Sequence, residues 1–84
     1  MAQLRKEDKI LRDKVKLRLR KLRNEQEESK TDVSKRIEVD RQNFQPWENL
    51  DSERGMSIYS INRVCEALGI TLKEFFDDEI FQNE

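Results

Sequence analysis

Histidine is missing from all 84 residues, and cysteine, proline and tryptophan occur once each. With Cys65 alone and no histidine there is no zinc-ligand set and no internal disulfide, so no metal centre is expected. The two glycines form no phosphate-cradling loop, and no paired carboxylates mark a cleft. An enzyme is therefore not expected, and neither is a cofactor. No apolar run approaches the ~18 residues of a membrane span, and the chain reads as cytoplasmic.

Charge is what the sequence has in abundance. Charged residues make up 42% against 35% hydrophobic, so one small core must be assembled from a few amphipathic elements. The net charge of −1 hides a division: residues 1–36 hold 13 Lys/Arg against 7 Asp/Glu, and residues 37–84 hold 4 against 11. Between Lys9 and Arg23 only Asp13 opposes eight bases. Such a run either offers a basic face to nucleic acid or is a solvated helix surface; positions 12, 16, 18 and 20 remain open between the two.

Periodicity predicts helices throughout and no sheet. Leu11, Val15, Leu19 and Leu22 recur at steps of four, four and three, one stripe of a helix from about Leu4 to Gln26 whose second half packs while its first half projects. Ser29 with Asp32 reads as a capping box, followed by Val33 and Ile37. Asp40 is the next possible cap, opening a segment with Phe44 and Trp47. Ser57 caps a helix carrying Ile58, Ile61, Val64, Cys65 and Leu68, which Gly69 stops, and Thr71 with Glu74 caps a last one with Leu72, Phe75 and Phe76. Phe44, Trp47, Ile61, Val64, Leu68, Leu72 and Phe75 are the expected core.

Two short helices a few residues apart, VSKRI and RQNFQPW, spell a helix-turn-helix. With Leu19, Leu22 and Arg23 in the first helix, the Ser29 cap, Val33 with Ser34, the Val39–Asp40 turn, Phe44, Trp47 and Glu48 in the next helix, and EALGITLKEFF at the end, the chain resembles the lambda-repressor-like, Cro/C1-type (Xre) helix-turn-helix domain. The resemblance implies an all-α, compact five-helix bundle, its first helix extended at the N-terminus. Three segments follow: an N-terminal helical extension over 1–13, the helix-turn-helix domain over 14–76, and an acidic C-terminal tail over 77–84. It also implies a structural ion pair between Arg23 and Glu48.

The sequence departs from the family pattern in places. Glu38 stands where the turn usually has glycine, so the backbone there avoids positive φ or carries strain. The loop between Glu48 and Ser57 is about two residues longer than usual. Pro46 interrupts the recognition helix: if Asp40 is the cap, the helix must kink or break there, and if Asn43 is the cap, Pro46 falls where its missing amide has no partner anyway.

Either way Arg41, Gln42 and Asn43 stand at the leading end, with Gln45 beyond them. Arginine pairs bidentately with guanine, and asparagine or glutamine with adenine, so these four are the candidate base contacts. Lys30, after the Ser29 cap, and Arg54, in the loop, are the candidate phosphate contacts. The expected function is a sequence-specific transcriptional regulator of double-stranded DNA, a repressor binding a palindromic operator as a homodimer. Ile80 and Phe81, or Leu4, Ile10 and Leu17, would supply the dimer contact. The competing expectation is an antitoxin or anti-regulator whose acidic half, with Asp77, Asp78 and Glu79, meets a basic protein partner.

Overall fold

A computed structural model describes residues 4–82; residues 1–3 of the N-terminal extension and 83–84 of the acidic tail lie outside it. Five α-helices follow in order: α1 over Lys6–Glu25, α2 over Lys30–Arg36, α3 over Arg41–Glu48, α4 over Ile58–Leu68 and α5 over Leu72–Phe76, with a closing 3-10 turn at Glu79–Phe81. Among the described residues there is no strand, and no helix is long and apolar enough to cross a membrane. This is the all-α, five-helix architecture with its helix-turn-helix at α2–α3.

Local chemistry sets most helix starts. The Ser29, Ser57 and Thr71 hydroxyls accept from the backbone amides of Asp32, Ser60 and Glu74, three residues on in each case. In α2 and α5 the acidic side chain at that third position returns a bond to the cap amide. At α1 the Asp8 carboxylate accepts both the Arg5 amide and its guanidinium. Asp40 precedes α3 as expected, but its side chain makes no capping bond.

Three helix ends share one device. At α4 the amides of Gly69 and Ile70 reach back to the carbonyls of Glu66 and Cys65, with Gly69 at φ +74°. The same pair of backward bonds closes α1, from Glu27 and Glu28 to Asn24 and Arg23, and α2, from Glu38 and Val39 to Lys35 and Ser34. This paired closure needs a left-handed residue, ordinarily glycine. Here Glu27 and Glu38 take that place at φ +56° and +57°, so Glu38 carries the strain rather than avoiding it.

The core joins Leu19 and Leu22 of α1, Val33 and Ile37 at α2, Phe44 and Trp47 of α3, four residues of α4 and Phe75 of α5. Phe44 and Trp47 stack at a tilt with ring centroids 5.5 Å apart. One expected core residue needs correction: Leu72 only flanks the core. Leu11, in the projecting half of α1, is 51% exposed, and the packed stripe of the helix starts one turn later, at Val15, where the other helices first cover it. Ile58, in the first turn of α4, is half-exposed.

The acidic segment after α5 folds back as far as residue 82. Phe81 packs against Phe75 and Phe76, and the half-buried Asp78 receives the side chains of both Arg18 and Lys21.

Candidate DNA interface

Helix α3 has two unlike sides. Phe44, Trp47 and Glu48 are buried against the rest of the molecule, whereas Arg41, Gln42, Asn43 and Gln45 are exposed. Amides 43 and 44 both bond the Asp40 carbonyl, so the helix starts at Arg41 and the alternative start at Asn43 is not taken. Pro46 therefore lies inside the helix, which does not break there but runs on to Glu48. Proline leaves the Gln42 carbonyl without its usual amide donor. Only two residues follow, and both are held from outside the helix's own ladder, Trp47 by burial and Glu48 by charge.

That charge contact is specific. Arg23 Nε donates to Glu48 Oε2 at 2.7 Å and Nη2 to Oε1 at 2.8 Å, a two-pronged pair around a carboxylate with no exposed side-chain surface. A third prong of the guanidinium, Nη1, donates to the Glu28 carbonyl at 2.9 Å. Hydrogen bonding to Glu48 raises the Arg23 pKa still further above its ordinary value. The arrangement ties the end of α1 to the end of α3 and so sets the pitch at which residues 41–45 leave the surface.

Lys30 opens α2, half-buried, and α2 packs directly on α3. Its neighbour Asp32 bonds the cap and also sets a carboxylate at that helix start. Arg54 is exposed in the loop beyond the C-terminal end of α3, so it does not share the leading end with Arg41–Asn43. Among the described residues, the side chains of Lys30, Arg41 and Arg54 make no ion pair. These cations, with the exposed Lys35 at the end of α2, are left to a ligand at the helix-turn-helix and its following loop.

The basic run of α1 serves a different purpose, which neither sequence reading anticipated. Lys16, almost completely buried, donates to the carbonyls of Asn49 and Ser52 at 2.8 and 2.7 Å. Burial, and then the Arg12 charge, hold its pKa below the ordinary lysine value. Arg12 reaches the Glu53 carbonyl, and Arg20 the Glu48 carbonyl at 2.7 Å. Arg18 donates to the carbonyls of Phe75 and Glu74 and to the Asp78 carboxylate. Two of these contacts, Arg20 on Glu48 and Arg18 on Phe75, cover carbonyls at the ends of α3 and α5, which lack helical donors and carry the negative end of the helix dipole. Gln26 and Arg36 treat the last carbonyls of α4 in the same way. The signal was present in the spacing: residues 12, 16 and 20 form one row four apart, and Arg12 and Lys16 lie beside Leu19 rather than opposite it.

The profile of the Cro/C1-type HTH DNA-binding domain matches residues 18–79. A solved structure of the nucleoprotein complex C.Esp1396I superposes with a TM-score of 0.74, covering 87% of this chain and 96% of that one at 24% identity, a likeness of fold. No match was found among curated proteins.

Proposed function

The chain belongs to the family of Cro/C1-type helix-turn-helix DNA-binding domains, and we propose that it is a transcriptional repressor which binds a palindromic double-stranded operator as a homodimer. The observation that carries this reading is the two-sided α3. Its outer side offers one guanidinium and three carboxamides, while its inner side is fixed by Phe44, Trp47 and the Arg23–Glu48 pair. Side chains of those types distinguish base pairs in the major groove, and a rigid mount keeps their register.

In this reading Arg41, Gln42, Asn43 and Gln45 contact base edges, and Lys30 and Arg54 contact phosphates. One such helix covers only a few base pairs, so two copies on half-sites about one helical turn apart supply the remaining specificity. Repression is the simplest output, since occupancy of a promoter is enough to block it. Selection of bound duplexes from a random pool tests the reading: a single enriched sequence with two-fold symmetry is expected. Recovery of a pool with no shared sequence would reject it.

A further inference from the structure

Helix α1 exposes apolar side chains between Leu4 and Leu17, mostly N-terminal to the Arg18 contacts on that side. Ile10, Leu11 and Leu17 are 46%, 51% and 37% exposed, and Phe76 of α5 is 37% exposed nearby. Glu7, Ile10, Leu11 and Lys14 form one wall of a groove whose other wall is Phe76 and Phe81. The order of charge and apolar residues along this wall is self-complementary. Glu7 and Lys14 lie equally far from the point between Ile10 and Leu11, so a second α1 running antiparallel across that point sets Glu7 against the copy's Lys14 and Lys14 against its Glu7. Ile10 then meets the copy's Leu11, and Leu17 meets the helix start beside Leu4. A parallel arrangement would instead oppose like charges.

We propose that this groove is where two copies of the chain meet, packed antiparallel through α1 about a two-fold axis passing between Ile10 and Leu11. A two-fold interface uses one patch twice and so requires such self-complementarity. The remaining acidic residues of this part of α1 stay outside the seam: Asp8 is taken by Arg5, and Asp13 pairs with Arg12 on another face. Apolar contact at the centre drives the association, and the two flanking ion pairs select its direction. The proposal rests on the dimer reading above and adds its surface and orientation.

Charge reversal on the intact chain tests it by sedimentation equilibrium. Glu7→Lys alone and Lys14→Glu alone each bring like charges together twice and should weaken the dimer about tenfold or more. An equimolar mixture of the two single variants should form a heterodimer, and the double variant a homodimer, because both restore opposite charges. Leu11→Asp, at the centre, should abolish association while the circular dichroism spectrum stays native, since the residue is half-exposed in the single copy. A dimer indifferent to all of these variants would overturn this surface and leave the dimer reading standing. A chain that is monomeric at every concentration, operator present or absent, would overturn both.

Discussion

Arg23 and Glu48 meet through two parallel hydrogen bonds, 25 residues apart in sequence, with the carboxylate sealed from solvent. The contact joins the ends of the two helices whose relative placement decides how α3 is presented. Arg23→Ala leaves a buried carboxylate without its cation and should cost about 3–5 kcal/mol, whereas replacing both residues by leucine should cost far less. Urea denaturation of the two variants reads the difference directly. Equal losses would mean that Glu48 finds another donor.

Glu38 and Glu27 sit in the left-handed region that favours glycine. Glycine there removes ~1–2 kcal/mol of steric cost but adds ~0.5–1 kcal/mol of chain entropy to be lost on folding. Glu38→Gly should therefore raise stability by about 0.5–1 kcal/mol, and Glu38→Val should lower it. Denaturant midpoints at unchanged slope check both.

Asp78 titrates below its ordinary value because the Lys21 ammonium and then the Ile80 amide bond its ionised form. A carboxylate depressed in the folded state contributes stability that is complete above its unfolded pKa, about 3.9, and lost as pH falls through the lower folded value. Asp78→Asn should be less stable than the parent by about 1–2 kcal/mol at pH 7. The gap should close below about pH 4. Urea unfolding over that pH series is the measurement.

Pro46→Ala restores a donor for the Gln42 carbonyl and should leave the fold intact, raising stability by up to about 1 kcal/mol. Thermal melting decides this. A clear fall would show that the half-buried ring packs more than its missing amide costs.

Asn43→Ala and Lys30→Ala separate base reading from phosphate holding. The first should weaken the preferred duplex by about 1–3 kcal/mol and leave random duplex nearly untouched. The second should weaken both alike and flatten the slope of log affinity against log salt by about one ion per protomer. Titrations at several salt concentrations distinguish them.

Helix positions were legible in the sequence because capping is local chemistry: Ser29, Ser57, Thr71 and Gly69 act within four residues of themselves. The polar leading end of α3 could be read from the spacing of Phe44 and Trp47, which fixes the buried side of that helix. What could not be read depends on tertiary partners. A glutamate in the left-handed region looks like any surface glutamate until the backward bonds around Glu27 and Glu38 are seen. Continuation of α3 past Pro46 relies on Trp47 and Glu48 being held by other helices. Asp78 reads as part of an acidic tail, but it is the partner of Arg18, 60 residues away.

The α1 cations bound to carbonyls bear on how the protein would search a genome. Lys16 and Arg18 are buried and cannot reach a phosphate without abandoning the contacts they make with the loop after α3 and with α5. Sequence-independent hold on a duplex follows the number of phosphates actually neutralised, not the number of basic residues in the chain. A protomer built this way should leave random sequence quickly, so that long residence is confined to sites where the leading end of α3 finds its bases.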